Sequence, residues 1–304
     1  MSNAATIAAA ATAATTAATI ASTQTAMDAS TGRSKPPSGS RTVRFRIKRS
    51  DGHNKNVRWE EFDVPVTSGS EGSGSANVIS CLQHIAANPV TRDGRRTTPI
   101  AYDAGCLEEV CGSCTMVING KVRQACSCLI DDYAPNNGDV ITLEPMTKFP
   151  TIRDLWVDRA RLFATLKRTS AWVPIDGTYA LGAGPKEKPD EQQIRYKLSE
   201  CMSCGCCLEA CPQYTLEEDA KDWDKAFVGA AVISQARYFN MQPTGATLKK
   251  ERLDALSAPG GVSDCGNAQN CVQVCPKEIP LTESIAAMGR QVTVHRIKQF
   301  FVGR

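Results

Sequence analysis

Fourteen cysteines are spread along 304 residues, and eleven of them fall into three groups whose spacing suits metal chemistry. The first group, Cys106, Cys111, Cys114 and Cys126, has the form C-x4-C-x2-C-x11-C. Its opening matches the plant-type loop that wraps a [2Fe-2S] cluster, for which soft thiolates are the natural ligands. Gly105 and Gly112 would allow the backbone to come close enough for amide N–H groups to point at cluster sulfurs. A zinc site with four cysteine ligands is the alternative. Zinc knuckles, however, bring paired C-x2-C arms, not a four-residue gap followed by a two-residue gap.

The second group, Cys201, Cys204, Cys207 and Cys211 followed by Pro212, is the bacterial ferredoxin run. In that run the first three thiolates hold one cubane and the fourth crosses to the other cluster. A matching run follows at Cys265, Ala268, Cys271 and Cys275 before Pro276, with Ala268 where the second cysteine belongs. Crossing the fourth cysteines assigns Cys201, Cys204, Cys207 and Cys275 to a complete [4Fe-4S] cluster. Cys211, Cys265 and Cys271 are left for the other. Three thiolates cannot saturate four irons, so a [3Fe-4S] centre is the expected occupant, with an aconitase-like [4Fe-4S] open at one iron as the competing state. Cys81, Cys128 and Cys206 remain and read as packing thiols, since a free cysteine behaves as a small hydrophobe. The absence of a disulfide pattern fits a reducing compartment.

The elements that must position these groups follow from periodicity. Thr42 to Lys48 alternates Val43, Phe45 and Ile47 with basic residues, a half-buried strand. Trp59 to Val66 alternates again and pairs with it as a hairpin. Asn77 caps a helix carrying Val78, Leu82 and Ile85 on one stripe, the Asn119-Gly120 turn makes a second hairpin, and Val140 to Leu143 adds a strand. After Pro150 the pattern becomes helical: Ile152 to Leu166, Gln192 to Leu198, Asp224 to Asn240, Lys249 to Leu256 and Thr282 to Phe301. The chain therefore reads as α+β, with a mixed module over 41–147 and a helical one over 148–304. Trp59, Trp156, Trp172 and Trp223 are expected as core anchors, and the basic Arg41 to Arg58 region as a solvated sheet face.

Composition narrows the function classes. Apolar residues make up 42% and charged residues 22%, ordinary for a folded, soluble chain. A net charge of +3 is too small to argue for a nucleic-acid partner. His53, His84 and His295 are scattered, so neither a Rieske pair nor a catalytic triad is expected. Residues 1–40 read as a low-complexity tail and linker: Ala4 to Ala21 holds only Ala, Thr and two Ile, and no Lys or Arg precedes Arg33, which argues against a secretory signal. Ser68 to Ser75 reads as a Ser/Gly loop, and Leu181 to Pro185 lacks the strand and third glycine of a nucleotide loop.

The motifs CLEEVCGSCTMVINGKVRQAC, CMSCGCCLEACP and CGNAQNCVQVCPKEIPLTESI, in that order, carry a resemblance. They are similar to those of the iron–sulfur subunit of succinate dehydrogenase and fumarate reductase, the respiratory complex II family, over about Arg41 to Phe301. The resemblance implies a β-grasp plant-type ferredoxin domain followed by an α-helical two-cluster ferredoxin domain. It implies the ligand sets already reached from spacing, docking on an FAD-containing flavoprotein subunit and on a membrane anchor, and single-electron transfer through [2Fe-2S], [4Fe-4S] and [3Fe-4S] to quinone, in either direction. It places the chain at the cytoplasmic face of a bacterial inner membrane, or on the matrix side of a mitochondrial one. Where ubiquinone-linked members have a Trp pair and a His near the third centre, this chain has Gln213 to Leu216 and Gly266. These segments look more like the branch anchored by a dihaem cytochrome b. Pro212 matches the quinone-side proline of the family, although loop termination explains it equally well.

Overall fold

In the computed structural model, residues 39–67, 75–174, 184–216 and 225–302 are described. The Ala/Thr-rich tail, nearly all of the Ser/Gly loop, most of the Leu181 to Pro185 stretch and Trp223 lie outside them. Strand β1 (Ser40–Arg49) pairs antiparallel with β2 (Arg58–Thr67), Phe45 facing Phe62. Val43, Phe45 and Ile47 are fully buried, as the period-two alternation requires.

Strands β3 (Thr115–Ile118) and β4 (Lys121–Gln124) form a hairpin. Asn119 and Gly120 both take positive φ at its turn, the conformation a two-residue loop needs. Strand β5 (Val140–Glu144) lies between the hairpins, parallel to β1 and antiparallel to β3, giving the order β2-β1-β5-β3-β4. Helix α1 (Val78–Ala87) buries Val78, Leu82 and Ile85 in the core of this sheet. Its first turn is closed by a reciprocal cap: Ser80 N–H donates to Asn77 Oδ1 at 2.9 Å and Asn77 N–H to Ser80 Oγ at 3.0 Å. A short helix α2 (Ile130–Tyr133) completes the module.

The basic face of β1 is only partly solvated. Arg41 and Arg49 share the inward side of the strand with Val43, Phe45 and Ile47. Arg41 pairs with Asp131 and donates to the Ala134 carbonyl at 3.0 Å. Arg49, fully buried, is held by Glu60 at 2.6 Å and Asp154 at 2.8 Å. A charge there is tolerated only because both partners and the Thr98 carbonyl (3.1 Å) satisfy it.

That clasp explains a departure from the helix expected over Ile152 to Leu166. The structure has instead a small ribbon, β6 (Thr151–Arg153) with β7 (Trp156–Val157), and only then helix α3 (Ala160–Arg168). Asp154 turns the ribbon with φ 48°. Its carboxylate accepts from Arg49, from Ser50 N–H at 3.2 Å and from Ala101 N–H at 2.9 Å. Leu155 packs into the core of the first module. Tertiary partners outweigh local periodicity here.

The second half is helical, with α4 (Pro189–Ser199), α5 (Cys206–Glu209), α6 (Ala230–Met241), α7 (Lys249–Ser257), α8 (Asn270–Gln273) and α9 (Leu281–Val302). Helix α6 starts later than the expected Asp224, because Gly229 holds φ 87° and its α-carbon faces Leu208 so closely that a Cβ would lie 2.1 Å from Leu208 Cδ2. Trp59, Trp156 and Trp172 do not anchor the core; they are 39%, 44% and 43% exposed. Arg46 lies 4.6 Å over the Trp59 ring instead, a contact that an exposed indole favours.

Replacing Arg49 by Met removes the buried guanidinium shared by Glu60 and Asp154, leaving Glu60 only the half-exposed Arg58 at 3.1 Å as a cation and Asp154 only Arg153 at 3.7 Å. Loss of one partner of a buried pair costs about 3–5 kcal/mol, so the thermal midpoint of the assembled protein should fall clearly, while Arg44→Met on the solvated face changes little. Equal midpoints for the two variants would refute the buried clasp.

Candidate metal centres

The first cysteine group lies in the loop before β3 and in the residues just after β4. The register Thr115↔Gln124 returns Cys126 to Cys114, and the two thiols meet. Burial pushes the Cys114 thiol up to about 12. Leu107, Glu109 and Gly112 all have positive φ, uncommon for residues with side chains and concentrated where function demands it. These turns aim amides at sulfur: Glu108 and Val110 N–H each approach Cys106 Sγ at 3.3 Å, and Cys106 and Ser113 N–H approach Cys111 Sγ at 3.4 and 3.5 Å. Burial disfavours the Cys111 thiolate, but these donors outweigh it and bring the thiol down to about 6.

The other two groups converge across α5 and α8. Cys201, Cys204, Cys207 and Cys275 line one cavity with Gly205, Ile279 and Leu281. Burial first, then the neighbouring Cys204, Cys201, Cys275 and Cys271 thiols, raise Cys207 far above its usual range. Cys271, raised by burial, has Cys211 and Cys265 beside it. Thus the structure brings together the two sets that crossed spacing assigns, and Cys207 and Cys271 connect them. Thiols packed like this cannot all ionise in a low-dielectric interior without cationic metal among them, so the donor sets fit cluster binding. Among the described residues no three His, Cys, Asp or Glu side chains close on a single ion; the thiols surround a volume.

The two ferredoxin runs repeat in backbone as well as in sequence. Ser203 and Gly205 have φ 51° and 90°, and Asn267 and Gln269, at the same offsets in the second run, have 53° and 62°. One short helix follows each pair, Cys206–Glu209 and Asn270–Gln273. Ala268 therefore occupies the place of Cys204 in the repeat, and it is exposed, as is Pro212.

Gly112 joins the modules. A Cβ on it would lie 2.7 Å from both Cα and Cβ of Cys204, so the first cluster loop touches a residue of the second without any intervening side chain. Arg159 spans the junction, donating to the Gly112 carbonyl at 2.7 Å and reaching the Cys204 carbonyl at 3.4 Å. Glu209 fastens the linker, accepting from Thr147 N–H and Lys148 N–H, both at 2.9 Å.

Arg159, Gln124 and Cys206 escaped the sequence reading. The first two act across long sequence separations and carry no local signal. Cys206 did carry one, as an extra cysteine beside a ligand position. Cys81 and Cys128 are packing thiols as expected, buried in the first core and pushed by burial up to about 12 and about 11. Cys206 differs: it lies beside Cys204, and hydrogen bonding from Cys206, joined by Gln124, outweighs burial and brings the Cys204 thiol down to about 7.

Sheet module, helical module and three thiol groups define a two-module iron–sulfur electron carrier. Residues 44–164 match a family described as a 2Fe-2S iron–sulfur cluster binding domain, and 197–279 a 4Fe-4S dicluster domain. The chain is 49% identical to the succinate dehydrogenase iron–sulfur subunit of Bacillus subtilis, over 87% of this chain and 98% of that one. It is 33% identical to the corresponding subunit of Coxiella burnetii, over 76% and 88%, and 31% identical to the fumarate reductase iron–sulfur subunit of Wolinella succinogenes, over 63% and 77%. A chain of the Mycobacterium smegmatis Sdh1 complex in its apo form shares the fold, with a TM-score of 0.67 at 21% identity over 85% and 98% of the two chains.

The chain belongs to the iron–sulfur subunit family of succinate dehydrogenase and fumarate reductase. It is an electron-transfer subunit of the succinate dehydrogenase type, with [2Fe-2S] and [4Fe-4S] clusters as cofactors. The zinc alternative is set aside by the cluster-binding families matched.

Gly112→Ala must separate the two loops, since backbone and Cβ of Cys204 cannot yield like a flexible side chain. A cost of about 1–3 kcal/mol is expected, with reduced iron content. Gly94→Ala, at an equally positive φ of 83° but with nothing within 4 Å, isolates backbone strain. If both variants lose the same stability and retain full iron, the contact between the loops does not matter.

Proposed function

We propose that this subunit carries single electrons between succinate oxidation on an FAD-containing flavoprotein and quinone at a membrane anchor. Cys106, Cys111, Cys114 and Cys126 hold [2Fe-2S]; Cys201, Cys204, Cys207 and Cys275 hold [4Fe-4S]; Cys211, Cys265 and Cys271 hold [3Fe-4S]. When bound, the clusters supply the one-electron steps that let a two-electron oxidation feed its electrons singly to an acceptor. The chain's own residues do the rest. Amides of the Cys106 to Ser113 loop donate to ligand sulfurs and favour the more negative, reduced state. Burial of Cys204 and Cys207 excludes water from the middle set. Arg159 keeps the two cluster loops in register.

The observation that carries this reading is the direct contact of Gly112 with Cys204, which gives the first and second thiol sets a short path. Identity favours the succinate-oxidising direction, 49% to a succinate dehydrogenase subunit against 31% to a fumarate reductase one. Among the described residues no helix is long and apolar enough to cross a membrane; the seat we favour is a peripheral one on an anchor at the cytoplasmic face of a bacterial membrane. A dihaem cytochrome b is the anchor we favour. Gln213 supports a pocket unlike the Trp/His type: its amide fills the space beside Gly266, where a Cβ would lie 2.5 Å from Gln213 Nε2. Pro212, exposed beside Cys211, is the residue we place on the quinone side.

Iron and sulfide analysis of the assembled complex should return one two-, one three- and one four-iron centre per chain, and EPR titration with succinate should resolve three signals that also reoxidise with quinone. Ala268→Cys, at an exposed position with room for a thiol, should convert the third centre toward [4Fe-4S] and lower its potential. An unchanged three-iron spectrum in a folded, iron-replete variant would refute the crossed ligand pairing.

A further inference from the structure

Arg159 stands at the joint of the two modules, just before α3, with its side chain 13% exposed. Its Nη1 donates to the Gly112 carbonyl at 2.7 Å and reaches the Cys204 carbonyl at 3.4 Å, while Nη2 reaches the Ser113 carbonyl at 3.5 Å. Gly112 and Ser113 are the two residues between Cys111 and Cys114. The cation therefore lies against the backbone of the first cluster loop and of a ligand of the second centre at once.

Tying carbonyls together does not require a charge. A neutral amide could donate to such oxygens without the cost of taking a cation out of water. Elsewhere the fold compensates an inward guanidinium closely: Arg49 is held by two buried carboxylates at 2.6 and 2.8 Å. The carboxylate beside Arg159 is Asp103, at 3.5 Å and with its side chain 41% exposed. That pair is too long and too well solvated to cancel the charge, and among the described residues Arg159 pairs with no other carboxylate. Thiolate-bound iron–sulfur clusters, by contrast, become more negative on reduction, and net charge is one of the influences that set their potentials.

We propose that the Arg159 guanidinium is the shared counter-charge of the first two centres and raises the reduction potentials of [2Fe-2S] and [4Fe-4S] together. This rests on the ligand sets proposed above. Arg159 acts through the two loops it touches and is a positioning residue. Each reduction adds one electron to a centre, and no proton moves, because a guanidinium stays protonated throughout. Since the cation lies against both loops, the two potentials move in one direction and the driving force between these stations is nearly preserved.

The test is potentiometric EPR on the assembled complex. Arg159→Gln should lower the one-electron equilibrium constant for reducing each of [2Fe-2S] and [4Fe-4S] about fivefold, a shift of ~41 mV at ~59 mV per decade, and move the third centre less. Arg159→Lys keeps the charge but not the fork, and should recover most of the shift. Asp103→Asn removes the partial compensation and should move both potentials the other way, about twofold or ~18 mV. Unchanged potentials in an iron-replete Arg159→Gln or Asp103→Asn complex would overturn the shared counter-charge. So would equal shifts in the Lys and Gln variants, which would assign the effect to geometry. If Arg159→Gln does not assemble, Arg159→Lys and Asp103→Asn decide. A wild type lacking [2Fe-2S] and [4Fe-4S] signals would instead overturn the ligand reading itself.

Discussion

The approach of Gly112 to Cys204 is the constraint to which the rest of the fold answers. Electrons cross protein only over short gaps, so two separately cored modules must bring their thiol loops into contact. The first module therefore presents a residue with no side chain, at a φ of 70° that glycine adopts freely. The second presents a ligand position directly opposite. Contact between backbones cannot be adjusted by rotamers, so the orientation of the modules has to be fixed elsewhere. Arg159 ties the two loop carbonyls together, Glu209 grips the linker amides, and Phe149 packs where a Cβ on Gly205 would lie 3.2 Å away.

Burial gives the fourteen cysteines different chemistry according to their neighbours. Cys81 and Cys128 sit among aliphatic side chains, and burial keeps them protonated and inert. Cys207 is also buried but stands among four other thiols, which cannot ionise together unless cationic metal lies among them. Cys111 is the opposite case: amides rather than burial decide its state, because the loop twists through strained conformations to deliver them. Spacing separates the clustered cysteines from Cys81 and Cys128, and the atoms around each sulfur then set its chemistry within a group.

Much of the fold was legible because the relevant signals are local. The β1 alternation, the Asn77 cap, the Asn119-Gly120 turn and the three cysteine spacings each concern residues close in sequence, and each appears in the structure. The failures in the cluster-bearing scaffold were non-local. The expected helix from Ile152 gave way to a ribbon because Arg49, about a hundred residues earlier, captures the Asp154 carboxylate. The expected solvated run of arginines includes two inward-facing ones whose partners lie far along the chain. Gln124 reaches Cys206 across 82 positions, a separation over which hydrophobic patterning carries no information.

The degenerate second run shows how a repeat can diverge in chemistry while keeping its shape. Backbone turns at Asn267 and Gln269 reproduce those at Ser203 and Gly205 even though Ala268 has replaced the ligand that such turns would present. If the loop conformation were imposed by metal coordination alone, losing one ligand would release the strain and the turn would relax. Its persistence indicates that packing holds the loop: Asn270 donates to the Ala210 carbonyl at 3.0 Å, and Gly266 lies against the Gln213 amide. The first run thus braces the second. A single substitution at position 268 can then change the number of ligands offered to iron without rebuilding the scaffold, which separates the redox character of the third centre from the stability of the domain that carries it.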